Sequence, residues 1–416
     1  MKKLFSILMA GAMMLSLAAC GATGSTSSAA ASTATGDTAE ASGTTASTDL
    51  KVGVILVGDE TEGYSAAHIN GIKEAAAEVG LPEDQIIWKY KIPESAECSD
   101  AAEDLVGQGC DLVIANSYGH QTYLVETAEK YPDTTFVSMT GDFAAISGLD
   151  NFKNAFTAVY QSRYVSGVVA GMKLKELVDS GTLTPETQPN SFDADGNVKI
   201  GYVGAFPYAE VISGYTAFYL GAKSVCPSVT MKVKYVNSWS NASEEAAAAA
   251  ALADEGCVLI SQHSDNTTPA TAAQDAGVFH CGYNNDMTGV APESSIISCR
   301  VDWAPYFVYA ISAVANGEEF AQDWTAGYAD GSVKLTTLNE AIAAPGTAEA
   351  LEAAEAELAD GLHVFAGPLS GHPAQDPDGE VWSIGEGEYF AESDLSQEGG
   401  LSAPQFCYII DGITEE

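Results

Sequence analysis

Lys51-Val-Gly-Val-Ile-Leu-Val57 is answered later in the chain by Lys199-Ile-Gly-Tyr-Val-Gly204. Each is a short apolar run ending at glycine, the form of a parallel strand buried on both faces. Outward from the first, His68 to Val79 has helical spacing, with Ile69, Ile72, Ala76 and Val79 on one face, and Gly80 stops it. Gln85–Tyr90 reads as the next strand, a helix over 99–107 leads into Cys110–Ala115, and a helix over 122–130 leads into Thr135–Met139. Outward from the second, an alanine-rich helix over Ser243–Asp254 leads through Gly256-Cys257 into Val258-Leu-Ile260, echoing Gly109-Cys110-Asp-Leu-Val113. Val278–Tyr283 is a later strand, followed by a helix over Trp303–Ala315. Strands alternating with helices predict an α/β fold with parallel sheets covered on both faces. Two matched halves predict a two-lobed protein with ligand loops at the carboxyl ends of the strands, in a shared cleft.

The 416 residues carry 57 Asp+Glu against 17 Lys+Arg, a formal net charge of −40. A surface this acidic is repelled by phosphate backbones, which excludes nucleic acid as a partner. Apolar residues make up 46% of the chain, enough for packed cores.

Met1-Lys2-Lys3 precedes an apolar run from Leu4 to Ala19, a basic start and short core that read as an export signal over 1–19. Leu17-Ala-Ala-Cys20 resembles the lipobox of bacterial lipoproteins, in which the cysteine takes a diacylglycerol. The alternative is ordinary secretion with cleavage after Ala19. Two acyl chains on Cys20 would suffice for stable membrane attachment. After Cys20, residues 21–49 complete the 20–49 segment as a tether of Gly, Ala, Ser and Thr broken only by Asp37, Glu40 and Asp49. With no large apolar group to bury, the tether is expected to stay disordered, spanning roughly 30 Å.

Beyond Cys20 there are cysteines at 98, 110, 226, 257, 281, 299 and 407, and none has the spacing of a zinc site or redox pair. They are expected to act as small core hydrophobes. Gly201-Tyr-Val-Gly204 lacks the spacing of a dinucleotide fingerprint, and no phosphate-cradling Gly-x-x-x-x-Gly-Lys loop occurs. No cofactor and no metal is expected.

The chain carries, in order, Gly71-Ile-Lys-Glu-Ala75, Gly109-Cys-Asp-Leu-Val-Ile114, Tyr131-Pro-Asp-Thr-Thr-Phe136 and Tyr164-Val-Ser-Gly-Val-Val-Ala-Gly171. Lys199–Gly204, Gly282-Tyr-Asn-Asn-Asp286 and Arg300-Val-Asp302 follow. With these motifs the chain from Lys51 onward resembles the basic membrane protein family of lipoprotein solute-binding proteins, whose better-known members are purine nucleoside receptors of ABC importers. The resemblance implies two Rossmann-like lobes joined by a hinge of three crossing strands near 158–162, 286–289 and 324–331. The first lobe would be 50–158 with 288–323, and the second 159–287 with 324–416.

A nucleoside offers a flat π-face, base edges and vicinal hydroxyls, so its pocket needs aromatic faces and carboxylates; stacking is worth ~1–3 kcal/mol per base. The strand-end loops supply Asp59, Glu60 and Tyr64 after the first strand, and Ser117 and Tyr118, beside Asn116 and His120, after the Cys110 strand. Asp142 follows the Phe136 strand. In the second half come Tyr208 with Glu210, Trp239, His263 with Gln262 and Asp265, and Asn284 and Asp286 with Asn285. The resemblance implies that Tyr64 and Trp239 stand where family members carry ligand-stacking phenylalanines. One departure concerns the family's Lys-Arg-Val-Asp, which reads Cys299-Arg300-Val301-Asp302, so the ligand-reaching lysine is missing and Arg300 or Arg163 is the candidate replacement.

The leading expectation is a non-enzymatic, extracytoplasmic receptor, anchored at the cell membrane through Cys20 and expected to be monomeric. It would close on a small solute, a purine nucleoside by the resemblance, and deliver it to an ABC permease. A sensory lipoprotein reporting a different solute to a membrane receptor is the alternative. An enzyme finds no support, because no Gly-x-Ser-x-Gly or His-Glu-x-x-His signature is present. The tail past Gly346 is expected to place a helix over 347–360 on the second lobe, with 371–400 as a surface excursion.

Overall fold

A computed structural model of the chain describes residues 50–416. The export signal, Cys20 and the tether lie outside the described residues.

The first lobe begins with β1 (Val52–Ile55), α1 (Gly63–Val79), β2 (Ile86–Lys89), α2 (Ala96–Gly107) and β3 (Leu112–Ala115). It continues through α3 (Gln121–Lys130), β4 (Thr135–Met139), the short α4 (Ala144–Ser147) and β5 (Phe152–Thr157). At Ala158 the chain passes into the second lobe: α5 (Val159–Asp179), β6 (Val198–Gly204), α6 (Ala209–Val225), β7 (Val229–Tyr235), α7 (Ala242–Asp254), β8 (Leu259–His263), α8 (Thr268–Asp275), β9 (Phe279–Tyr283) and β10 (Ser295–Val301). It then returns for α9 (Ala304–Asn316), which packs on α1, and β11 (Asp323–Ala326), which pairs with β5. Last come β12 (Val333–Leu335), α10 (Thr347–Ala359) and the short strands β13 (Leu369–Pro373), β14 (Trp382–Ile384), β15 (Tyr408–Ile410) and β16 (Ile413–Glu415).

The sheets run β11-β5-β4-β3-β1-β2 and β12-β10-β9-β8-β6-β7-β16, parallel throughout except for β12. The core order of the first, β2-β1-β3-β4-β5, is that of the second, β7-β6-β8-β9-β10. The sequence echo therefore reports a structural repeat, and its glycines show why. A Cβ on Gly53 would sit 2.8 Å from Leu105 of α2, and one on Gly201 would sit 3.0 Å from Leu252 of α7. Only a bare backbone lets the helix lie that close. Gly109 and Gly256 both take positive φ, 83° and 95°, turning each helix into its next strand.

Two elements differ from the sequence expectation. β10 pairs with β9, so 295–301 belongs to the second sheet, and the return crossing falls at 302–303 instead of 286–289. Residues 284–289 form a strand-end turn instead: Asn284 has φ +57°, and Asp286 accepts from Thr288 N at 2.9 Å. Likewise Trp324–Ala326 belongs to the first sheet, and the third crossing lies between β11 and β12.

The tail past α10 does more than cover surface. β14, β13 and β15 form an antiparallel sheet, with Phe365 and Phe406 buried against the second lobe and β16 extending that lobe's sheet beside β7. Ser402 reaches the first lobe, bonding Asn154 of β5 at 2.9 Å and Asp323 through its backbone N–H at 2.9 Å. α10 packs on α5, where the sequence placed it. All seven cysteines from 98 onward are free and buried.

Candidate functional site

Between the lobes, at the carboxyl ends of β1, β3, β6 and β8, lies a cavity of about 400 Å³. This is the point in each sheet where strand order reverses, the usual ligand position in open α/β sheets, and small-molecule pockets run ~300–1,000 Å³.

From the first lobe, the loop after β1 leads into α1. Glu62 caps that helix, accepting from Ser65 N at 2.7 Å and Tyr64 N at 2.8 Å. Tyr64 projects into the cavity with its hydroxyl donating to the Asn116 carbonyl and lying 2.8 Å from Thr140 Oγ1. Burial pushes that hydroxyl's pKa well above the usual tyrosine value, and burial likewise raises the Glu62 carboxyl. Glu94 accepts from Ser117 Oγ at 2.7 Å and from Gly119 N at 2.8 Å. Tyr118 completes this wall.

From the second lobe, Gln262 donates to the carbonyls of Ser264 and Asn266, both at 2.8 Å, folding the loop that presents Asp265. Asp265 N donates to the Trp239 carbonyl at 3.0 Å, tying this loop to the one after β7. Trp239 meets the Phe206 ring edge-on at 5.3 Å, and Tyr208 stacks on Phe206 at 5.0 Å. His263 Nε2 lies 3.2 Å from Glu210 Oε1. Burial, reinforced by the nearby Arg163 guanidinium, pulls His263 down to about 4, so the ring is neutral. Arg163 lies under the Tyr283 ring at 4.3 Å and donates to Tyr202 Oη at 2.6 Å and the Gln262 carbonyl at 2.9 Å. Asp265 is 8% exposed, and among the described residues no donor reaches its carboxylate. Burial, then Glu62, Glu245 and Glu210, pushes its pKa well above the carboxylate range. The lobes touch at the rim: Gly63 N donates to the Asp265 carbonyl at 3.4 Å, and the Tyr118 and Tyr208 rings stand 6.0 Å apart.

Of the residues selected from sequence, Tyr64, Ser117, Tyr118, Trp239 and His263 line the cavity together. Tyr208 stands at its mouth, 42% exposed. Asp142 lies behind the wall, accepting from Gln121 Nε2 at 3.0 Å and Tyr118 Oη at 3.5 Å. Asp59 and Glu60 do not line it: Asp59 is ion-paired with Lys91 at 2.6 Å, which holds its carboxyl below the usual range, and Glu60 is exposed. Asn284 does not line the cavity: its Oδ1 accepts from Val301 N at 3.2 Å, while its Nδ2 is buried with no partner among the described residues; Asp286 is spent on its turn. Neither candidate for the missing lysine lines the cavity. Arg300 is half-exposed, 3.6 Å from Asp302, and Arg163 is buried behind Tyr283. Cys299 is buried, its Sγ 3.5 Å from the Gly282 carbonyl.

Sequence reasoning did not select Glu62, Glu94, Thr140, Phe206 or Tyr283, and it noted Glu210 and Asp265 only as strand-end neighbours. Tyr283 and Phe206 carry a usable signal, each standing at or just past a strand's carboxyl end. Glu62 carries none, because glutamate is not a favoured N-cap.

Residues 49–359 match the family model for the PnrA-like ABC transporter substrate-binding protein. The chain belongs to that family. It is 30% identical over 336 residues to a purine-binding protein of Brucella abortus, covering 80% of this chain and 86% of that one. A putative ABC transporter glucose-binding protein of Haloferax volcanii is 30% identical over 306 residues, covering 73% and 71%. Among solved structures, an ABC transporter solute-binding protein of Conexibacter woesei superimposes with a TM-score of 0.57 at 18% identity, covering 75% of this chain and 97% of that one. One of Aeropyrum pernix does so with 0.58 at 13% identity, covering 75% and 92%. At such identities the likeness speaks for the fold, two Rossmann-like lobes. Family membership makes the protein an extracytoplasmic ABC substrate-binding protein and implies a small-molecule ligand and permease partners. No helix among the described residues is long and apolar enough to cross a membrane.

Proposed function

We propose that the protein is a lipid-anchored receptor that closes its lobes on a purine nucleoside and presents it to an ABC permease. The observation that carries the ligand reading is the pairing within one cavity of aromatic faces, Trp239 and Phe206, with the buried carboxylate of Asp265. Stacking suits the base, and carboxylate oxygens suit ribose hydroxyls and base N–H groups. The purine-binding Brucella relative supports the same reading. Closure is a hinge motion at the three crossings, 158, 302–303 and 327–332, with the liganded form the one the permease selects. Cys20 is the anchor.

Thermal unfolding of the chain from residue 20, made soluble by Cys20→Ser, against purine nucleosides, nucleobases, hexoses and amino acids tests the ligand. At 100 times its dissociation constant a ligand stabilises the fold by about 2.7 kcal/mol. A response to purine nucleosides supports the reading; a response to hexoses alone replaces the substrate. The full chain should pellet with membranes and its Cys20→Ser form should not; pelleting by both would remove the anchor.

A further inference from the structure

Among the described residues the cavity wall holds four carboxylates, Glu62, Glu94, Glu210 and Asp265, and neither lysine nor arginine. The other charged or titratable groups packed around it do not redress this. Glu245 of α7, fully buried, accepts from Asn241 N at 2.8 Å and Asn266 Nδ2 at 2.6 Å; His263 is neutral; Arg163 is one positive charge, held behind Tyr283. Glu62 and Glu94 have protein donors, whereas Asp265 lines the cavity at 8% exposure with no donor among the described residues. Around this acidic floor stand Phe206, Tyr208 and Trp239, with ring centroids 5.0–6.1 Å apart, and Tyr118 6.0 Å from Tyr208. Electron-rich faces beside an unpaired carboxylate are how proteins hold a desolvated cation.

We propose that the preferred ligand of this cleft carries a positive charge, as a cationic aromatic heterocycle or aromatic ammonium compound, with Asp265 as its counter-ion. This rests on the reading of the cleft as a receptor site for an aromatic solute. Closed on a neutral ligand, Asp265 faces no opposite charge, so ionising it is costly and the carboxyl keeps its proton. A ligand bringing its own charge removes that cost. An anion, such as a nucleotide phosphate, would add to it.

The test uses isomers that differ in charge. N1-methyladenosine is a cation near neutral pH, while N6-methyladenosine is its neutral isomer and adenosine the neutral parent. Calorimetry on the Cys20→Ser chain should show the cation binding at least about tenfold more tightly than the neutral isomer. Asp265→Asn should bring that ratio towards one. Should that variant fail to fold, wild-type titrations in buffers of different ionisation enthalpy decide: proton release with the cation and markedly less with the neutral isomer supports the proposal, and equal proton exchange with both overturns it. Neutral nucleosides binding as tightly as the cation overturn it while leaving the nucleoside reading intact. Binding of phenyltrimethylammonium with no response to any of the three nucleosides keeps the cation and retires the nucleoside. No response to any of these probes overturns both.

Discussion

The two lobes share one strand order and one set of turns, yet their contributions to the cleft differ in kind. In the first lobe the polar groups at the cavity are already used by the protein. Glu62 caps α1, Glu94 holds Ser117 and Gly119, and the Tyr64 hydroxyl is committed to Asn116 and Thr140. In the second lobe they keep capacity in reserve. Asp265 has no donor among the described residues, and His263 Nδ1 is buried with no partner among them. A buried polar group left unmatched costs roughly 1–3 kcal/mol, so the second lobe stands to recover that energy when a ligand supplies the match. The first lobe shapes the site, and the second recognises.

The widest test of that contrast is Asp265→Ala. Removing the one wall carboxylate without a protein partner should weaken binding of whichever ligand answers the screen by about 2–5 kcal/mol, with the fold retained. Unchanged affinity by calorimetry would erase the distinction between the lobes.

His263 sharpens it through pH. Its folded pKa, about 4, lies below the unfolded value of about 6.5, because burial and then Arg163 disfavour its proton. The unfolded chain therefore binds that proton first as pH falls. The associated stability is present above about 6.5 and is lost on acidification towards 4, up to about 3 kcal/mol. Denaturant unfolding of wild type and His263→Gln across that window should show the variant losing less. Parallel profiles would mean that His263 is not held neutral.

Trp239→Ala comes next, at ~1–3 kcal/mol of affinity through lost stacking, with little change in melting temperature because the ring is only half-buried. A large loss of stability with unchanged affinity would make Trp239 a packing residue.

How much of this was legible before the structure follows the same physics. Alternation and glycine placement are local, so β4 was read to the residue and the repeat was visible from Gly53, Gly201 and the two Gly-Cys turns. β5 escaped because Lys153 and Asn154 interrupt its apolar character; both are buried by tertiary partners, the Phe320 carbonyl and Asp323, that local sequence does not announce. The second crossing was misplaced for a related reason: Gly282–Asp286 has the polarity of an exit, while β10 pairs through backbone groups that any residues supply. In the site, aromatic residues at strand ends were legible because their size and position leave few alternatives. Carboxylates were not. Asp59 and Asp286 have the same sequence appearance as Asp265, and what separates them is whether a neighbour has already taken the oxygen: Lys91 and Thr61 for one, Thr288 for the other, and no described residue for the third.

Tyr64→Phe carries the smallest expected effect and bears on the first lobe. If that lobe's polar groups serve the fold, losing the hydroxyl should cost stability, about 0.5–1.5 kcal/mol for its hydrogen bonds. Affinity should barely move, because the ring remains and still faces the cavity beside His68, 4.6 Å away. Unfolding and calorimetry on one preparation separate the two. An affinity loss exceeding the stability loss would mean that the hydroxyl turns from Asn116 to the ligand on closure, and the first lobe would then share in recognition.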